Sequence, residues 1–210
     1  MDINTFADEA YLSAELKGLW DEIDYRTAAS LIHCEWSEAL QEDRAKRPLY
    51  FHRCSGNDDE YDICEDANKA ACYYKTSGNE EVCTYKGKPE GVAVELIDGI
   101  TLICSTVRRY GCRFKIKDTS EYKDWIPEKY VGFTTKTPLP HLVCILHDLV
   151  SQSAVMAALC KPAVDVLSPL QDAVGLAWLW IEMQGADPEE ILIEKHKYNK
   201  TREYKHGRKY

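Results

Sequence analysis

Two stretches of sequence decide the fold and carry candidate chemistry: LIHCEWSEAL (residues 31–40) and VAVELIDGIT (residues 92–101). Each contains two carboxylates three positions apart within an apolar run, and these are Glu35 with Glu38 and Glu95 with Asp98. Side chains at i and i+3 share one face of a helix. The two stretches therefore predict two packed helices, each of which presents a pair of acidic side chains.

Carboxylates among packed helices lose hydration and repel one another, so they must bind a cation or take up protons. Four of them converging between two helices would form an oxygen-rich site suited to Mg²⁺ or Mn²⁺, the cations that also bridge phosphates. The opposing interpretation is that each pair lies on a solvated helix face. The second pair, on the more apolar of the two helices, favours the metal site.

Composition places the chain among ordinary globular proteins. Its 210 residues are 45% hydrophobic and 29% charged, which excludes collagen-like, low-complexity and wholly disordered classes. No apolar run reaches the ~18 residues of a membrane helix, and the acidic start lacks the basic residues of a secretory signal. We therefore expect a cytoplasmic protein with no membrane partner. Nine cysteines scattered along the chain favour free thiols.

The hydrophobic periodicity predicts an all-α chain that forms a single domain over residues 1–210. Two insertions, at about 49–88 and 112–137, interrupt the helices, and the pair at about 138–185 is additional. For the second insertion the sequence leaves open whether it holds a short hairpin. Helices are expected at 5–22, at 28–47 after a Thr27 cap, at 90–111 after Pro89, at 140–160, at 164–185, and from Pro188 after an Asp187 cap.

The first insertion is irregular and contains four cysteines, Cys54, Cys64, Cys72 and Cys83. Their spacing lacks the close Cys-x₂₋₄-Cys pairs of a structural zinc site. A polar insertion with little apolar material nevertheless needs some device to hold its shape. Zinc and disulfides therefore stay open as alternatives to free thiols.

Charge is distributed unevenly along the chain. Residues 195–210 contain five Lys and two Arg against one Glu, about +6, which leaves about −15 on the remainder of a chain whose net charge is −9. This split favours a polyanionic ligand that carries metal ions over a nucleic acid, which would need a broad basic surface. The alternative is a solvated basic tail.

With these features in place, the chain resembles the all-α nucleoside triphosphate pyrophosphohydrolases of the MazG-like group, from bacteria or phages. The resemblance rests on Glu-x-x-Glu followed by Glu-x-x-Asp, and on the local sequences LIHCEWSEALQEDR, KPEGVAVELIDGI and EKHKYNKTREYKHGRKY. With the first helix, these segments cover about half of the chain. The insertion at 49–88 and the helical pair at 138–185 depart from the group's pattern without touching the four carboxylates.

The resemblance implies a helical bundle that hydrolyses a (deoxy)nucleoside triphosphate between its α and β phosphates, giving the monophosphate and pyrophosphate. It implies that Mg²⁺ or Mn²⁺ is held by Glu35, Glu38, Glu95 and Asp98. Glu38 is the candidate to accept the proton of the attacking water. Expected substrate contacts are Lys195, Tyr198, Asn199 and Arg202 on the last helix, Lys205, His206 and Arg208 in the tail, and Trp20, which is otherwise a core residue.

Other functions and assemblies stay open at this level. A dUTP- or dCTP-specific diphosphatase is an alternative within the same fold, and a catalytically silent nucleotide-binding or interaction module is an alternative of another class. We expect a homodimer or a higher homo-oligomer, because Leu176, Trp178, Leu179, Trp180 and Ile181 leave few polar positions for a solvent-facing helix. The added helical pair could instead close the bundle within one chain.

Overall fold

The computed structural model describes residues 1–53, 72–76, 79–83, 88–130 and 132–201. Over these ranges the chain is predominantly helical, as the sequence predicts, and the helices pack around one main core. The helices are α1 (Ile3–Leu16), α2 (Tyr25–Arg44), α3 (Val92–Arg109), α4 (Tyr122–Lys129), α5 (Leu139–Ala158), α6 (Ala163–Met183) and α7 (Pro188–Thr201). Helix α3 packs against α1, α2, α6 and α7, and it therefore forms the centre of the bundle.

The helix ends differ from the sequence expectations where local capping decides them. Helix α2 begins at Tyr25 because Asp24 is its cap, and the Asp24 carboxylate accepts the backbone N–H of Thr27 at 2.8 Å. Thr27 therefore lies in the first turn and is not the cap. Helix α1 ends at Leu16, six residues early, because the chain turns at Gly18, which has φ of +69°.

The ends of α3 and α7 show one expectation that was wrong and one that is confirmed. Pro89 was expected to begin α3, but it lies in a short strand, and α3 begins after Gly91 at φ +110°. A Cβ at Gly91 would lie 2.8 Å from the carbonyl oxygen of Leu49, so this entry into α3 needs glycine. Helix α7 begins at Pro188, and the Asp187 carboxylate caps it, as expected.

The first insertion contains extended structure. Strand β1 (Phe51–Arg53) pairs antiparallel with β4 (Lys88–Glu90), and β2 (Cys72–Thr76) pairs antiparallel with β3 (Asn79–Cys83). The β1–β4 ribbon leads directly into α3 and lies against α7. Cys54 and Cys64 lie outside the described residues, so the zinc and disulfide alternatives stay untested.

The second insertion packs against the N-terminal residues of the chain. It forms no hairpin over 112–130 and 132–137. Its extended start makes an isolated bridge between Asp2 and Asp118, and Ile3 donates its backbone N–H to Lys117. A one-turn 3₁₀ helix (Thr119–Glu121) with a capping box at Asp118 then leads into α4. The apolar residues of the insertion thus pack on the bundle instead of pairing with each other.

The apolar helix α6 is covered within the chain by α3, α4 and α5. The five residues from which the sequence predicted a homodimer are each at most 6% exposed: Leu176, Trp178, Leu179, Trp180 and Ile181. The physical reason for a second subunit at these residues is therefore removed, because the added helical pair covers its own apolar surface. Dimerisation itself stays a prediction.

By length and composition α5 is a candidate membrane span, because its 20 residues have a mean hydropathy of 1.3 in the most apolar window. It packs against α2 and α6. A third of the window is buried inside the protein.

Candidate metal centre

Three of the four predicted carboxylates converge between α2 and α3. Oxygens of Glu35, Glu95 and Asp98 all lie within 4.8 Å of one another. We call these three residues the carboxylate triad. The structure therefore brings together acidic groups that lie 60 positions apart in the chain, which the sequence predicted.

A close contact beside the triad fixes the distance between α2 and α3. Gly99 lies against the indole of Trp36, and a Cβ at Gly99 would come within 2.1 Å of the Trp36 Nε1 atom. Trp36 is fully buried and donates to the carbonyl oxygen of Leu96 at 3.4 Å. Trp36 follows Glu35 and Gly99 follows Asp98, so this contact positions the two sides of the triad.

Lys195 of α7 completes the cluster from a third helix. Its Nζ atom lies 2.7 Å from the Asp98 Oδ2 atom, and the residue is only 3% exposed. Burial lowers the pKa of a lysine, but Asp98, Glu95 and Glu35 outweigh that effect and raise the pKa of Lys195. Lys195 is therefore a charged ammonium group in direct contact with the triad.

The triad carries more negative charge than Lys195 offsets. Burial, followed by the charges of Asp98 and Glu38, raises the pKa of Glu35 to about 8. Burial and the charge of Asp98 also raise the pKa of Glu95 to about 7, against the lowering influence of Lys195. Without further positive charge, the cluster holds protons at a pH where ordinary carboxyls have lost them.

Glu38 lies at the rim. It is exposed and is not a member of the triad, although its charge contributes to the raised pKa of Glu35. One turn further on, the Glu42 Oε1 atom accepts a hydrogen bond from Arg47 at 2.7 Å. Its other oxygen is buried and has no hydrogen-bond partner within the described part of the chain. Glu38 therefore faces water beside the triad, while Glu42 is held by Arg47.

The expected phosphate contacts begin on the helix that carries Lys195. Helix α7 continues to Thr201, so Tyr198 and Asn199 are helical and half-buried. The Asn199 Oδ1 atom is buried and accepts no hydrogen bond from the residues that the structure describes. Arg202 and the tail residues Lys205, His206 and Arg208 lie outside the described residues.

Trp20 lies away from the triad. It is 5% exposed, its Nε1 atom donates to the Ser105 Oγ atom at 3.0 Å, and Arg109 lies over its ring. Ser105 follows Asp98 by seven residues on α3, which is roughly 10 Å along the helix axis. The indole is thus occupied by core contacts and offers no free face for a base.

A polar cluster that no sequence pattern predicted joins β1 to α7. Tyr50 donates a short hydrogen bond to Glu194, and the His52 Nε2 atom lies 3.1 Å from the Glu194 Oε1 atom. Glu194 precedes Lys195, so this cluster fixes α7 next to the triad. No spacing rule links Tyr50 to Glu194, because 144 positions separate them.

The donors of the triad fit a hard divalent cation, since Mg²⁺ and Mn²⁺ prefer carboxylate oxygens. Both Glu35 and Glu95 hold raised pKa values that such a cation would bring down. Comparison with protein-family models, with curated proteins and with solved structures finds no match to this chain.

Proposed function

We propose that the protein is a metal-dependent pyrophosphohydrolase that cleaves a nucleoside or deoxynucleoside triphosphate to the monophosphate and pyrophosphate. The observation that carries the proposal is the convergence of Glu35, Glu95 and Asp98 within 4.8 Å, with the buried ammonium of Lys195 against them. Carboxylates and a lysine together suit a metal-carrying polyanion, which needs both ligands for the cation and positive charge for its phosphates. The resemblance to MazG-like enzymes supplies the reaction.

In this proposal Glu35, Glu95 and Asp98 bind Mg²⁺ or Mn²⁺. The bound cation supplies charge that offsets the phosphates and makes nearby water more acidic. Lys195 and Asn199 bind phosphate oxygens from α7. Arg202, Lys205, His206 and Arg208, which follow them in the sequence, are proposed as further phosphate contacts.

Glu38 is proposed as the general base. Its exposed position beside the triad lets it hydrogen-bond a water molecule that attacks the α phosphorus. Glu38 takes a proton from that water as the new P–O bond forms, and the bond between the α phosphorus and the bridging oxygen breaks. Pyrophosphate leaves with the bridging oxygen, and the oxygen of the water stays on the monophosphate. The atoms of the triphosphate and the water are therefore all found in the two products.

The decisive experiment is a screen of all common NTPs and dNTPs with Mg²⁺ or Mn²⁺, in which pyrophosphate and orthophosphate are measured separately. Hydrolysis in ¹⁸O-labelled water then shows by ³¹P NMR which phosphorus receives the label. We expect pyrophosphate as product and label in the monophosphate. Release of ¹⁸O-labelled orthophosphate would mean that the protein is a phosphatase that attacks the γ phosphorus. If none of the nucleotides is hydrolysed, the proposal is overturned. The screen also decides between broad activity and a preference for dUTP or dCTP.

Variants connect that activity to the site. Glu35→Gln and Asp98→Asn keep the side-chain shape and remove the charge, so both are expected to abolish turnover while the helical circular dichroism spectrum is unchanged. Asp43→Asn is the matched control, because Asp43 is an exposed residue of the same helix as Glu35 and lies outside the triad. Wild-type activity in either triad variant would mean that the hydrolysis comes from another site.

A further inference from the structure

The position of Lys195 has a consequence for how the proposed metal binds, and the following inference rests on the proposed function. The Nζ atom of Lys195 lies 2.7 Å from the Oδ2 atom of Asp98, one of the three residues that would bind the metal. A lysine whose sole role is phosphate binding would be expected to point to solvent. Instead, Lys195 is buried and neutralises part of the charge of the triad.

The ammonium group of Lys195 and a divalent cation bound by the triad compete for the carboxylate of Asp98. Like charges a few ångströms apart repel strongly within a partly buried site. Asp98, whose Oδ2 atom accepts the hydrogen bond of Lys195, is also one of the three residues of the triad that would bind the metal. A divalent cation that takes Asp98 as a ligand is therefore expected to displace Lys195 from that carboxylate.

The release needs only a side-chain movement. Helix α7 is anchored by Ile191 and Leu192, which are at most 2% exposed, and by His196, whose ring packs edge-on against Phe6 at 5.3 Å. The four-carbon stem of lysine has rotatable bonds that can carry the ammonium group along the helix. The backbone can therefore stay in place while Lys195 changes partner.

Asn199 offers an acceptor for the released group. It lies four residues after Lys195, so the two side chains share one face of α7. Its Oδ1 atom is buried and has no hydrogen-bond donor among the residues described. The ammonium group next to Asn199 would lie about one turn closer to the C-terminal end of α7.

We infer that Lys195 is a built-in counter-ion of the metal-free triad, which metal binding converts into a phosphate ligand. In the metal-free protein Lys195 stabilises the triad and is occupied by Asp98. When Mg²⁺ or Mn²⁺ binds, Lys195 leaves Asp98 and becomes available for the substrate. The phosphate site is therefore complete only after the metal has bound, so nucleotide without metal binds poorly.

The test measures Mn²⁺ affinity in the absence of nucleotide, by calorimetry and by electron paramagnetic resonance. Lys195→Met removes the competing charge and keeps an unbranched stem, so it is expected to bind Mn²⁺ about tenfold tighter than wild type, or more. Lys197→Met is the control, because Lys197 is an exposed residue of the same helix and its loss changes the net charge equally. The control is expected to stay within about twofold of wild type. Unchanged or weaker Mn²⁺ binding by Lys195→Met would overturn the inference.

A second measurement uses the wild-type chain, in case Lys195→Met does not fold. Acetic anhydride labels accessible lysines, and mass spectrometry reports the ratio of labelling at Lys195 to that at Lys197. The ratio is expected to be low in EDTA and to rise several-fold in saturating Mg²⁺. A ratio that stays constant or falls, in protein shown to bind the metal, would overturn the inference and leave the proposed hydrolysis intact. Absence of Mn²⁺ binding in both wild type and Lys195→Met would overturn the metal site and the inference together.

Discussion

Gly99 of α3 and Trp36 of α2 touch so closely that a single added methyl group at position 99 would lie 2.1 Å from the indole nitrogen. The contact is next to Glu35 on one helix and next to Asp98 on the other. The separation of the two helices, and with it the spacing of the triad, is therefore fixed by a glycine and a tryptophan that carry no charge.

The first prediction concerns this contact. Gly99→Ala is expected to lower the free energy of unfolding by about 1–3 kcal/mol, because overpacking outweighs the gain in helix propensity. It is also expected to weaken Mn²⁺ binding, because the α2–α3 distance must increase. Chemical denaturation and calorimetry measure the two effects.

A double-mutant cycle provides the control for that prediction. Trp36→Ala removes all three indole atoms that lie nearest to a Cβ at position 99. The double variant should therefore be less destabilised than the sum of the two single variants. Strict additivity would show that the close contact does not determine the cost of Gly99→Ala.

The contact also shows where sequence reasoning succeeds and where it stops. The existence of the two helices follows from apolar periodicity, and the carboxylates of the triad follow from i, i+3 spacing. Both are local patterns of the sequence. Nothing in the sequence distinguishes Gly99 from any other glycine within an apolar run, because its role depends on a side chain that comes from another helix. Packing of this kind is a property of the pair and leaves no signal in either segment alone.

Lys195 illustrates the same limit within the site. Its helix, its cap at Asp187 and its approximate place near the acidic helices are readable from the sequence. Its contact with Asp98 depends on the angle at which α7 crosses α3, which the β1–β4 ribbon and the bonds of Glu194 help to set. Similarly, Trp178 and Trp180 are buried by α3, α4 and α5, and periodicity alone cannot distinguish that cover from a partner subunit.

The second prediction separates Glu38 from the triad. Because Glu38 is exposed and lies outside the cluster, Glu38→Gln is expected to leave Mn²⁺ affinity within a few-fold of wild type. Loss of a general base should lower kcat by about 100-fold or more. Parallel titration and steady-state kinetics check both values. A large loss of Mn²⁺ affinity would make Glu38 a fourth metal ligand, as the sequence also allows.

The third prediction follows from the raised pKa values of Glu35 (about 8) and Glu95 (about 7), against an ordinary value of 4.5. The folded state holds these protons more firmly than the unfolded state does. Their contribution to stability is therefore full below pH 4.5 and is lost as the pH rises through 7 and 8, with a slope of up to about 1.4 kcal/mol per pH unit for each group.

Melting temperatures measured in EDTA between pH 7 and 8.5 test this dependence. This range is chosen because burial lowers the pKa of His33 and of His147, so these two residues take up protons only at lower pH. The melting temperature should fall with pH in wild type and fall less in Glu35→Gln. Saturating Mg²⁺ should flatten the wild-type curve, because metal binds the ionised carboxylates. An identical slope for wild type and Glu35→Gln in EDTA would contradict the prediction, and Asp43→Asn should retain the wild-type slope.

The fourth prediction concerns the basic tail. Deletion of residues 203–210 removes three of the expected phosphate contacts, Lys205, His206 and Arg208. The segment is too polar to contribute much to the core, so KM should rise while the melting temperature changes little. An unchanged KM together with a large fall in melting temperature would show that the tail is structural.

The last prediction tests the location of Trp20. Its indole donates to Ser105 in a buried position, so Trp20→Phe leaves the Ser105 hydroxyl without its partner and should cost about 1–3 kcal/mol in the free energy of unfolding. Adding Ser105→Ala removes the unpaired hydroxyl and should recover part of that loss. Because neither residue contacts the triad, KM for the best nucleotide should stay within about twofold in both variants. A selective rise in KM with unchanged stability would instead place the indole against the base. The connection between α1 and α2, which carries Trp20, would then have to move away from Ser105 when substrate binds.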